Sequence, residues 1–81
     1  MSLYPTPTRL DLLHEVLAGN VIEGITEETD GATWLLDGEG GRRKVTAAIE
    51  EMRRAGWVEP VEAFYRLTGD GYRVLAEGSR T

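Results

Sequence analysis

The densest run of positive charge in this chain, Arg42-Arg43-Lys44, follows the glycine-rich stretch Gly38-Glu39-Gly40-Gly41 and precedes Val45-Thr46. Consecutive cations of this kind suit the neutralisation of an anion, and nucleic acid presents its phosphates as a regular series. A nucleotide-phosphate loop would need Gly-Lys followed by Ser or Thr, whereas Arg43 precedes Lys44 here and Val45 follows it. The run therefore reads either as a clamp for phosphates or as a solvated basic segment, and not as part of a nucleotide hydrolase.

Other chemistry is sparse. The chain has no cysteine, which excludes disulfides, thiolate zinc sites and cysteine nucleophiles, and its single histidine, His14, cannot build a histidine-rich metal site. The acids Glu23, Glu27, Glu28 and Asp30 lack the alternating spacing of a calcium loop and read as a solvated hairpin. Trp57 stands at an expected helix-to-strand corner and reads as core, while Trp34 is either core or a partly exposed surface for a partner. No catalytic constellation, cofactor or small-molecule substrate is implied, so an enzyme is not expected.

Eighty-one residues make one domain with a modest core, because folding at this size hides only about 60% of the unfolded surface. At 41% hydrophobic and 28% charged residues the chain is apolar enough to fold unaided. A single domain over 1–81 is expected, with an ordered core over about 8–77 and frayed ends. The start of the chain lacks a signal-peptide pattern, and no apolar run approaches the roughly 20 residues that span a bilayer. The expectation is a cytoplasmic protein with no membrane partner. Its net charge of −5 is unevenly divided: residues 1–41 hold one base against eight acids, a net of −7, and residues 42–81 hold eight bases against six acids, a net of +2.

The elements that would position these residues follow from periodicity. Thr8 as N-cap, with Asp11 three residues on, predicts a helix over about Arg9–Ala18, with a core stripe of Leu10, Leu13 and Leu17 widened by Leu12 and Val16 and a stop at Gly19. From Asn20 to Asp37 the period becomes two, and the Asp-Gly signal inside Glu27–Gly31 predicts a β-hairpin. A short helix around Ile25–Thr29 is the competing reading. The segment Arg42–Ala55 has the best helical pattern in the chain. Val45, Ala48, Ile49 and Met52 share its buried face, Arg43, Ala47, Glu50 and Arg54 lie opposite, and Gly56 ends it. Cations at a helix start oppose the macrodipole, which hints at an anionic partner, whereas Arg53-Arg54 at its end and a Glu50–Arg54 pair are ordinary stabilising features. Trp57-Val58 and Phe64–Leu67 predict two strands, with Pro60 interrupting the pairing. Thr68 then caps a short last helix carrying Tyr72, Val74 and Leu75, with Gly78 at its end.

The string VTAAIEEMRRAGWVE followed by YRLTGDGYRVL resembles winged-helix regulators of the MarR and PadR type, on Ala55-Gly56 and on Leu67-Thr68-Gly69-Asp70-Gly71. The resemblance covers about half of the chain. It implies a small α+β, winged-helix-like domain: helix, β-hairpin, helix, two-stranded wing and short C-terminal helix. It further implies that the helix at 42–55 is a recognition helix entering the major groove of double-stranded DNA, with Arg42, Arg43, Lys44, Thr46, Ala47, Glu50 and Arg66 as the contacting residues. The expected role is a small transcriptional or phage-type regulator. The wing, Glu59 to Ala63, holds two glutamates where such wings carry bases, so a monomer would bind weakly and a dimer or second module would be needed. From another class comes the alternative of a protein-interaction module, which forms a homodimer or recruits a partner through Trp34, Glu50 and Arg54.

Overall fold

The computed structural model describes residues 3–23, 32–36 and 39–78. Three helices pack on one face of a five-stranded antiparallel sheet: α1 (Pro7–Leu17), β1 (Val21–Glu23), β2 (Thr33–Leu36), β3 (Arg42–Lys44), α2 (Thr46–Arg54), β4 (Val58–Val61), β5 (Phe64–Leu67) and α3 (Gly69–Gly78). The spatial order of strands is β3-β2-β1-β5-β4. The molecule is thus α+β, and its element order is the expected one with a single addition, a fifth strand.

That strand corrects the sequence-based boundary of the second helix. Arg42–Lys44 is β3, paired with β2 as Leu36↔Arg42, Leu35↔Arg43 and Trp34↔Lys44, and the helix begins only at Thr46. The physical reason is twofold. Three cations in a first turn would face the positive end of the helix dipole, and as a strand their backbone groups pair with β2 instead. Gly40, at φ 86, turns the chain into β3. Beyond it, Val45 N–H still donates to the Thr33 carbonyl at 2.8 Å, and the Thr46 hydroxyl accepts from Thr33 N at 2.9 Å, which locks the β3–α2 corner.

α1 also begins earlier than its periodicity suggests. Thr6 is the N-cap and accepts from Arg9 N at 3.3 Å, because Pro7 at the first helical position has no N–H to satisfy. Its buried stripe is Leu12, Leu13 and Val16; Leu10 is half-buried and Leu17 is exposed. Gly19, at φ 81, ends this helix and Gly56, at φ 82, ends α2, both as expected.

β1 and β2 pair antiparallel as Val21↔Leu35, Ile22↔Trp34 and Glu23↔Thr33, as a hairpin requires. Its Asp-Gly turn, its acids Glu27, Glu28 and Asp30, and the competing helix at Ile25–Thr29 lie outside the described residues. At the other end of the sheet Pro60 does not interrupt pairing: β4 runs through it to Val61, with Pro60↔Tyr65 in register. Proline is tolerated there because β4 is an edge strand. The wing closes in a two-residue turn, Glu62-Ala63, whose Glu62 has φ 56.

The core lies between helices and sheet. Leu13, Ile49, Met52, Val21 and Val58 are its most deeply buried members, and Leu12, Val16, Val45, Trp57, Leu67 and Leu75 also belong to it. Thr68 accepts from Gly71 N at 3.1 Å and its hydroxyl donates to the Gly56 carbonyl, so one side chain caps α3 and ties it to the end of α2. On α3, Leu75 is buried and Val74 half-buried, while Tyr72 is exposed.

Candidate nucleic-acid interface

Arg42, Arg43 and Lys44 are all exposed on β3. The remaining described cations are each held by an acid: Arg9 by Glu51 at 3.2 Å, Arg53 and Arg54 by Glu50 at 2.7 and 3.4 Å, Arg66 by Glu59, and Arg73 by Asp70 at 2.7 Å. Among the described residues, the cations without an ion pair are therefore the three consecutive ones at the sheet edge. They do not point the same way. Pairing opposite Leu35, which packs on the core, puts Arg43 on the helix side, where it borders a groove with Asp11, His14 and Glu15. Arg42 alternates to the opposite face, where its guanidinium sits 4.8 Å from the centroid of the Trp34 ring; Lys44, opposite Trp34 in register, stands at the β3–α2 corner and also borders the grooves beside α2.

The α2 surface is less basic than its sequence suggests. Arg42, Arg43 and Lys44 precede it rather than belong to it, and the Thr46 hydroxyl is occupied by Thr33 N. What the helix presents beside Lys44 is Thr46, Ala47 and Glu50, the walls of a shallow groove. Glu50 accepts from Arg53 Nε at 3.1 Å and Nη2 at 2.7 Å. The Arg53 hydrogen bonds hold its carboxyl below the usual carboxylate range, with the charges of Arg53 and Arg54 adding to this and partial burial opposing it. The same contact raises the Arg53 guanidinium.

Of the expected DNA-contacting residues, the structure gathers Lys44, Thr46, Ala47 and Glu50 at the β3–α2 corner, with Arg42 and Arg43 on either side of the sheet edge. Arg66 stands on β5, two strands away from β2, with its charge met by Glu59, so no continuous positive stripe joins it to β3. The residues of the alternative set are also separated. Glu50 and Arg54 pair with each other on α2, on the helix-covered side, while Trp34 faces the other way.

A set that sequence reasoning missed lies on that other face. In the sheet, Val21, Leu35, Val58, Tyr65 and Leu67 reach the core, so strand alternation sends Ile22, Trp34, Leu36, Val61 and Phe64 to the side that carries no described helix. The registers align four of these positions with Lys44 in one row across the five strands: Lys44, Trp34, Ile22, Phe64 and Val61. Phe64 is 49% and Val61 37% exposed, and Trp34 is half-buried. The Trp34 Nε1 is buried without an acceptor among the described residues; nothing in the structure explains it. The available signal was the parity of Phe64-Tyr65-Arg66-Leu67: once Leu67 enters the core, Phe64 must leave it.

No family model, no curated protein and no solved structure matches the chain. Among the described residues no group of three or more His, Cys, Asp or Glu could hold a metal ion, and no helix is long and apolar enough to cross a membrane.

Proposed function

We propose that this chain is a nucleic-acid-binding module of winged-helix character, with duplex DNA as its target and β3 as its contact to the phosphates. The observation that carries the reading is that, among the described residues, the cations outside ion pairs are Arg42, Arg43 and Lys44. Cations already committed to carboxylates contribute little counterion release, whereas these three contribute fully. The winged-helix assignment is supported by the order β1-β5-β4 and by a β4–β5 hairpin that directly follows α2. The β2–β3 hairpin stands where a helix-turn-helix would place its second helix. In this arrangement Arg42, Arg43 and Lys44 at the sheet edge hold backbone phosphates while the first turn of α2, with the small Ala47 outermost, approaches the groove. Occupying DNA in this way is how a small regulator would act.

The test is fluorescence anisotropy with a labelled 20-base-pair duplex, comparing the wild type with the triple variant Arg42→Gln, Arg43→Gln, Lys44→Gln. Three phosphate contacts give a slope of about −2.7 in log affinity against log salt, so moving from roughly 50 to 150 mM costs about 20-fold. The triple variant should lose most of that slope. Absence of salt-dependent duplex binding at ~100 µM protein, or identical behaviour of wild type and variant, refutes the reading.

A further inference from the structure

The sheet face opposite the helices has the composition of a stacking platform, and we infer that it binds single-stranded nucleic acid, with bases stacked on Trp34 and Phe64 and phosphates held by Arg42 and Lys44. The inference rests on β3 as a phosphate contact, but not on α2 entering a groove.

Three features support it. The first is geometry. Trp34 and Phe64 occupy the same row, separated only by Ile22 on β1, and neighbouring strands lie about 4.8 Å apart, so the two side chains rise from backbone positions roughly 10 Å apart on one face. Between and beside them Ile22 and Val61 continue an apolar floor suited to base faces rather than to base edges. A groove-reading surface would need exposed donors and acceptors there, and among the uncharged members of this row the one polar group is the Trp34 indole N–H, which is buried.

The second is charge. On the helix side the described acids Asp11, Glu15, Glu23, Glu50 and Glu51 are interspersed with Arg9, Arg43, Arg53 and Arg54, while the open face bears Arg42, Lys44 and the neutralised pair Arg66–Glu59. A chain that is acidic as a whole thus presents a cationic margin along one side of an aromatic floor. That polarity matches a strand whose phosphates run along β3 while its bases turn inward across β2, β1 and β5.

The third is the state of Trp34. Its ring is already covered by a guanidinium at 4.8 Å, and arginine planes serve as stacking surfaces for unpaired bases as aromatic rings do. Arg42 therefore either offers its own plane to a base or swings to a phosphate and frees the indole. Duplex DNA cannot use this floor, since its bases are already stacked on one another.

Binding is measured by anisotropy of labelled dT12, rU12 and a duplex of matched length at low salt, with wild type, Trp34→Ala, Phe64→Ala and Phe64→Tyr. Phe64 is half-exposed, so its replacement spares the core, and circular dichroism melting of each variant confirms the fold. The expected result is tighter binding to the single strands than to the duplex, weakened at least about fivefold by Trp34→Ala and by Phe64→Ala, and restored by Phe64→Tyr, which keeps a stacking ring. The dT12 and rU12 arms distinguish DNA from RNA as the source of the strand. Duplex binding that survives alongside single-strand binding indifferent to Trp34 and Phe64 overturns this inference while leaving the β3 reading intact. Loss of binding to every oligonucleotide overturns both. A dimer in sedimentation that Phe64→Ala dissolves, with no oligonucleotide bound, overturns it in favour of a protein interface.

Discussion

Gly71 makes the sharpest test of how α3 is seated. A Cβ built on it would lie 2.0 Å from the Trp57 carbonyl oxygen, 3.0 Å from the Trp57 carbonyl carbon and 3.4 Å from Leu67 Cβ. Relaxed carbon–oxygen contacts begin at about 3.3 Å, so Gly71→Ala must move either α3 or the Trp57 peptide by about 1.3 Å. The obstacle is backbone, not the end of a flexible side chain. That carbonyl also accepts from Thr68 N at 2.9 Å, and Leu75 one turn on is buried at 7% exposure. Leaving a buried peptide group unpaired costs about 1–3 kcal/mol, and the accompanying overpacking costs a similar amount, so a loss of about 3–5 kcal/mol is expected. Domains of this length hold roughly 4–12 kcal/mol in total, which places the variant at the edge of unfolding. Gly69, two residues earlier in the same helix, meets nothing within 4 Å. Gly69→Ala should therefore be neutral or stabilise by up to about 1 kcal/mol through helix propensity alone. Urea titrations followed by far-ultraviolet circular dichroism compare the two. A Gly71→Ala variant within about 1 kcal/mol of the wild type would refute this seating of α3 against the Trp57 corner.

The wing turn offers a gain of stability: Glu62 has φ 56, a left-handed conformation costing roughly 1–2 kcal/mol for a side-chain-bearing residue, so Glu62→Gly should stabilise by about 0.5–1 kcal/mol after the added chain entropy of glycine, raising Tm by a few degrees. An unchanged or lower Tm would count against that turn geometry. Acid titration tests α2. Because the folded state lowers the Glu50 pKa, its contribution is complete above the ordinary carboxylate range and is lost as pH falls through the lowered folded value. Stability measured by urea unfolding from pH 6 to pH 3 should decline less steeply in Glu50→Gln than in the wild type, and parallel curves would show that the Arg53 contact carries no net stability.

Much of this fold was legible from local signals. The glycine stops at 19 and 56 act through backbone conformation, Thr68 through its reach to a nearby amide, and Val45, Ala48, Ile49 and Met52 through a 3.6-residue period. Each operates over a few residues, so the chain states it directly. The sequence also concentrated unmatched basic residues at 42–44, which is a matter of composition. Tertiary structure decided where those cations point. Arg42–Lys44 has no apolar alternation and is a strand because β2 supplies its hydrogen-bond partners, and the resulting alternation divides Arg43 from Arg42 and Lys44. The open face was likewise hidden, because Phe64-Tyr65-Arg66-Leu67 carries apolar residues on both parities. Only the seating of three helices against Val21, Val58 and Leu67 determines that Phe64 and Trp34 are left on the outside.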